Sequence, residues 1–210
     1  MIGIKFIARQ LREPSGLFGR KVMARMLNKC NARINKLAVD FLAPQPEDHV
    51  LDIGFGGGTG LQDMLRRVDR GVVHGAEISI AMLRQARSYF AEELNTGRLK
   101  LHEAHVEALP FSAGAVNGIC SVNTIYFWPS AQNGLREISR ILAPGGAVVI
   151  GMRSADVMRS HPVTQYGFRF YEAEEVGELM QQCGLTDIDI LHLDKGERFD
   201  SLLVRAVQPS

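Results

Sequence analysis

In VLDIGFGGGTG, residues 50–60, an apolar segment runs directly into a cluster of five glycines and then into a helical pattern. Apolar residues without polar alternation suit a strand covered on both faces, which is the habit of parallel sheets. The order strand then helix recurs along the chain. VVHGAE is followed by a helical stretch from Ser79 to about Asn95, LKLHEA and GICSVN are strand-like, and AQNGLREISRIL is amphipathic at helical spacing before AVVIGM. Strands alternating with helices imply a parallel sheet with right-handed crossovers. After an irregular stretch over residues 153–170 come a helix from about Glu172 to Cys183 and two more strands, TDIDILHL and DSLLVRAV. Only DKGERF separates that pair, too short for a crossover, so they form an antiparallel hairpin.

Ahead of the sheet, Phe18, Val22, Met26, Cys30, Ile34, Leu37 and Phe41 recur every three or four residues, predicting one long helix over residues 17–42, stopped by Pro44 and Pro46. The chain thus divides into a helical arm, residues 1–44, and a sheet domain, residues 45–210. The first 16 residues place Ile4, Ile7, Ala8 and Leu11 at helical spacing and end in Pro14, Ser15 and Gly16, as expected of a lid on a joint. Residues 1–42 carry nine Lys and Arg against Glu13 and Asp40, a net of +7, although the whole chain sums to only +1. A basic arm of this kind suits an anionic membrane surface or an acidic substrate. No apolar run is long enough for a membrane span. Cys30, Cys120 and Cys183 are isolated, as expected of a reduced cytoplasmic protein without disulfides or a metal site.

Glycines at the end of a strand let a ligand approach the backbone closely, and the helix behind them offers free N–H groups. Glu77 closes the next strand, where a carboxylate can accept both hydroxyls of an adenosine ribose. The nicotinamide-dinucleotide fingerprint G-x-G-x-x-G fails in every register, because Thr59 or Leu61 stands where its last glycine belongs. What stands instead is acid-x-Gly-x-Gly-x-Gly, from Asp52 to Gly58.

That string resembles the first motif of the class I S-adenosylmethionine-dependent methyltransferases, in particular the ubiquinone/menaquinone-biosynthesis and small-molecule group. AHVEALPF, residues 104–111, resembles the family's GDAExLPF, and REISRILAPGG, residues 136–146, resembles its R-x-L-x-PGG ending. The resemblance implies an α/β fold with a Rossmann-like seven-stranded, mostly parallel sheet, one antiparallel strand and helices on both faces. It also implies S-adenosyl-L-methionine as cofactor. By it, Gly54, Phe55, Gly56 and Gly58 form the turn around the methionine portion, with Asp52 shaping the loop. Glu77 holds the ribose, Ile78 packs on adenine, Val106 offers its backbone N–H to adenine, and Asn123 lies beside the methionine portion. His105 departs from the pattern, standing where an Asp accepts from the adenine amino group; a neutral ring can accept through one nitrogen only.

Methyl transfer from a sulfonium requires collinear reactants more than a dedicated nucleophile, and a general base only for weakly acidic acceptors. The loops after the fourth and fifth strands supply the candidates: Tyr126, Phe127, Trp128 and Tyr166 to line an acceptor pocket, and His161 as base, with Tyr126 as second catalytic candidate. The expected acceptor is a small molecule. Nucleic acid is not expected, because NTIYFWP replaces a base-flipping NPPY signature. Non-methylating S-adenosylmethionine chemistry and a non-catalytic binding module would use the same glycine turn and acid.

Overall fold

The structure, a computed structural model, describes residues 3–15, 24–193 and 200–210. Helix α1 (Ile4–Arg12) precedes α2 (Ala24–Leu42). The sheet then alternates as β1 (His49–Ile53), α3 (Thr59–Leu65), β2 (Val72–Glu77), α4 (Ile80–Tyr89), α5 (Ala91–Asn95), β3 (Leu99–Glu103) and β4 (Val116–Val122). A 3-10 turn (Ile125–Phe127), α6 (Ala131–Ile141), β5 (Leu142–Arg153), α7 (Ala155–Ser160), a second 3-10 turn (Pro162–Gln165), α8 (Ala173–Gln182), β6 (Thr186–Leu193) and β7 (Ser201–Val207) complete it. The seven strands lie in the order β3-β2-β1-β4-β5-β7-β6. β1 to β5 are parallel, and β7 runs antiparallel to both β5 and β6, so the expected hairpin and the single antiparallel strand are both present.

Successive residues of a strand face opposite sides, and the central strands are apolar on both. Leu51, Ile119, Val148 and Val204 pack under α6 and α8, against Leu135, Ile138, Ile141, Val176 and Met180. Val50, Cys120, Val149 and Leu203 pack under α2, α3 and α4, against Ile34, Ala38, Leu61, Met64 and Met82. Leu135, Ile138 and Ile141 are wholly buried, and each such side chain contributes about 1.5–3 kcal/mol. Helices α4 and α6 carry side-chain caps: Ser79 accepts from the Met82 N–H, and Ser130 from the Asn133 N–H.

The helix predicted over residues 17–42 is observed from Ala24, its earlier part lying outside the described residues, as does the hairpin loop 194–199. β5 starts earlier than AVVIGM, because Leu142 already pairs with Val116 before the register shifts at Gly118. The stretch expected to be irregular holds α7, capped by Ser154. The arm is docked. Gln10, buried to 1% exposure, ties its carboxamide to the Ser15 N–H and hydroxyl, and Ser79 Oγ donates to the Pro14 carbonyl. α1 rests on the second 3-10 turn, with Lys5 5.7 Å over the Tyr166 ring.

Candidate active site

A cleft opens where the carboxyl ends of β1, β2 and β4 meet, holding about 900 Å³ of empty space, part of it continuous with solvent. This is the usual ligand position of an open parallel sheet, at the point where strand order reverses. Asp52, Ile53, Gly54, Phe55, Gly56, Gly57 and Thr59 supply one wall. Gly56 has φ 51°, a left-handed conformation that side chains disfavour, and its N–H donates to Glu77 Oε2 at 3.0 Å. The other Glu77 oxygen accepts from the Ser79 N–H at 3.0 Å. Burial raises the Glu77 pKa, while these backbone donors pull the other way.

Asp52 is the most unusual group in the cleft. The residue is 4% exposed, and its carboxyl accepts from no described residue. Burial, with the charge of Glu77 adding to it, pushes its pKa up to about 7. Gly60 makes room for it, since a Cβ there would stand 2.3 Å from Asp52 Oδ2. Two buried carboxyls facing one cleft, one without a hydrogen-bond donor among the described residues, form an environment that favours a bound cation and hydroxyl donors.

Ile78, Ala104, His105 and Val106 form the wall beyond Glu77. His105 Nδ1 accepts from the Glu107 N–H at 3.3 Å, so a neutral ring carries its hydrogen on Nε2. The nitrogen left for a ligand is therefore a donor, not the acceptor that an adenine amino group requires. Asn123 and Thr124 at the end of β4, with Phe127 and Trp128, close the far side. Trp128 is buried and held by Nε1 donating to Thr124 Oγ1 at 3.2 Å.

The remaining expected residues fall elsewhere. Gly58 is the cap of α3 and backs onto Phe90, behind the lining. Tyr126 is 3% exposed, does not line the cleft, and burial drives its phenol pKa upward; it is packed as a structural donor rather than poised as a base. His161 is exposed between α7 and the second 3-10 turn, and Tyr166 is 40% exposed beneath the arm; neither reaches the cleft lining. Conversely, Asn28, Asn31 and Asn35 from α2 and Leu11, Arg12 and Pro14 from the arm do line it, none of them a candidate from the motifs. Three asparagines at i, i+3 and i+7 are a legible signal, because asparagine is a poor helix former and this spacing puts all three on one face. Among the described residues no three His, Cys, Asp or Glu are placed to hold a metal ion, and no helix is long and apolar enough to cross a membrane.

Residues 50–146 match the methyltransferase domain family. Over these residues the chain carries a methyltransferase domain of the S-adenosylmethionine-dependent class. It is 29% identical over 160 residues to YdaC of Bacillus subtilis, an uncharacterised methyltransferase, covering 76% of this chain and 83% of that one. It is 29% identical over 144 residues to malonyl-[acyl-carrier protein] O-methyltransferase 1 of Coxiella burnetii, covering 66% of this chain but only 47% of that enzyme. A methyltransferase solved in complex with the Trm112 activator of Haloferax volcanii has the same fold, with TM-score 0.79 at 19% identity over 100% of this chain and 99% of that one.

Proposed function

We propose that this enzyme transfers the methyl group of S-adenosylmethionine to a small-molecule acceptor bound between Asn123, Phe127, Trp128 and the arm. The observation that carries the reading is the roof on the cleft: Leu11, Arg12 and Pro14 complete its lining, and the arm is held at both Ser79 and the second 3-10 turn. A nucleic-acid strand needs an open groove along which its backbone can run, whereas a small acceptor fits a pocket closed on several sides.

The residues of the cleft fit the cofactor. The Asp52 carboxylate, which accepts from no described residue, would hold the methionine ammonium, Glu77 the ribose hydroxyls, Ile78 a face of the adenine and the Val106 N–H its edge. Bound S-adenosylmethionine supplies a sulfonium methyl open to in-line attack. The protein's part is to align and to exclude water, for which buried Trp128, Phe127 and the arm serve. With Tyr126 and His161 outside the lining and His105 Nδ1 engaged, the acceptor attacks through an atom that is already nucleophilic at neutral pH.

The test is a transfer assay with isotope-labelled S-adenosylmethionine against carboxylic acids, phenols, amines and phosphomonoesters on one side and RNA and DNA on the other. Label confined to nucleic acid would overturn the small-molecule reading. Loss of transfer in His161→Ala with unchanged cofactor affinity would restore a protein base.

A further inference from the structure

Four groups, of which only Asn123 enters the function proposed above, are joined by one chain of hydrogen bonds. The Arg153 backbone N–H donates to Tyr126 Oη. Having accepted there, the phenol must send its own hydrogen elsewhere, and it donates to Asn123 Oδ1 at 3.1 Å. Asn123 stands in the left-handed region at φ 57°, and this bond decides which way its carboxamide faces. Its Nδ2 therefore points the other way and donates to Asn31 Oδ1 at 3.0 Å. Each step passes the donor sense onward, starting from a backbone N–H that cannot reverse. The end of the chain is Asn31 Nδ2, whose two N–H groups have no partner among the described residues while Asn31 lines the cleft.

We infer that Asn31 is an oxyanion reader, binding a carboxylate or phosphate oxygen, and that Tyr126 is the positioning residue that gives it this polarity. Two further features agree. Asn28, one turn earlier on the same face, also lines the cleft without a hydrogen bond to any described residue, and Arg12 reaches the lining from the arm with no ion pair among them. The acids of these two elements do not oppose it: Asp40 is taken by Lys36 and Arg67, and Glu13 is exposed and outside the lining. The two acids of the cleft, Asp52 and Glu77, come from β1 and β2, and Glu77 already accepts from the Gly56 and Ser79 N–H groups, whereas the N–H donors of Asn28 and Asn31 and the charge of Arg12 come from α2 and the arm and suit acceptor-only, negatively charged oxygens. Two sources have that chemistry, an anionic group on the methyl acceptor and the carboxylate of the cofactor itself. The inference rests on the methyltransferase reading for both.

The experiment uses the full chain and two calorimetric titrations: S-adenosylhomocysteine alone, then succinate or inorganic phosphate at saturating S-adenosylhomocysteine. Asn31→Asp keeps the acceptor for Asn123 Nδ2 but presents a carboxylate to the cleft, and should weaken one of the two titrations at least tenfold. Weakening of the second titration identifies the methyl acceptor as the source; weakening of the first identifies the cofactor carboxylate. Tyr126→Phe should weaken the same titration about fivefold in the wild-type background and not at all in the Asn31→Asp background, whereas a merely structural tyrosine would act equally in both. Both titrations unchanged within twofold in Asn31→Asp, or equal effects of Tyr126→Phe in the two backgrounds, would overturn the inference. Failure of the wild-type protein to bind S-adenosylhomocysteine would instead overturn the cofactor reading, and the succinate and phosphate titrations then test Asn31 by themselves.

Discussion

Replacing Asp52 by asparagine should make the ligand-free protein more stable and the cofactor complex weaker. An ordinary aspartate titrates near 3.8, and Asp52 does so at about 7 in the fold. Its folded pKa lies above its unfolded one, so the fold favours the protonated form: stability is full below the unfolded value and falls as pH rises from about 4 to about 7. Roughly three pH units at about 1.36 kcal/mol each give a cost of up to about 4 kcal/mol at pH 8. The carboxamide of Asp52→Asn has no charge to bury, so the variant should gain up to that amount at pH 8 and nothing at pH 3. For a chain of this length the gain at pH 8 is on the order of 10 °C in Tm. Cofactor binding should move the opposite way, because a charge-assisted bond to the ammonium contributes about 1.5–3 kcal/mol. In the wild type, affinity for S-adenosylhomocysteine should fall as pH drops below 7, toward tenfold per unit, and Asp52→Asn should remove that slope. Thermal melts at pH 3, 5, 6 and 8 with calorimetry at matched pH provide the check. A variant less stable than wild type at pH 8, or a stability difference independent of pH, would refute the assignment of a buried carboxylate without a donor among the described residues.

Gly56→Val should abolish cofactor binding while leaving the circular dichroism spectrum intact, since a branched side chain is forced into a left-handed turn beside the ligand. Glu77→Ala should weaken S-adenosylhomocysteine at least tenfold and also lower Tm, because the Gly56 and Ser79 N–H groups lose their acceptor; affinity unchanged within twofold would place the ribose elsewhere. His74 and His102 share a hydrogen bond, Nδ1 to Nε2 at 3.1 Å, and burial lowers the pKa of both, that of His74 to about 4. In each the folded value lies below the unfolded one, so the contribution is whole above about 6.5 and shrinks as pH falls, that of His74 being lost toward 4; His74→Phe should flatten that acid limb in denaturant titrations. Deleting residues 1–12 should reduce methyl transfer far more than cofactor affinity if the arm is a lid, and full transfer by the truncated protein would rule that out.

The sheet is readable from the sequence because every central strand has to be apolar on both faces, and because a turn as specific as residues 54–58 leaves few choices for the ligand behind it. Glu77 is readable for the same reason, as the acid closing the next strand. Tyr126 and His161 stand out for their chemistry and for lying on loops near the site. Whether a loop side chain turns toward the ligand depends on tertiary packing that no local pattern encodes. Tyr126 is drawn inward by the Arg153 N–H, and His161 is carried outward by α7. That helix has six residues, too few for a periodic signal. The asparagines of α2 are masked by their neighbours, because the apolar stripe that dominates a helical pattern hides a polar stripe that is also turned inward.

The place of β7 also governs how this protein can be made. The last strand in the chain is not at the edge of the sheet but between β5 and β6, and among the described residues β6 pairs with nothing else. While the chain is being synthesised, residues 186–193 have no strand to join until residues 201–207 have emerged, and the flank of β5 stays open over Ala147 to Arg153 for the same interval. That flank exposes Val148, Val149, Ile150 and Met152 on an unpaired edge, the kind of surface on which nascent chains aggregate. A chain cut short before Ser201 should therefore lose not one strand but two, β7 and the β6 that pairs with it, and such chains should be captured by chaperones and cut by protease between β5 and α8.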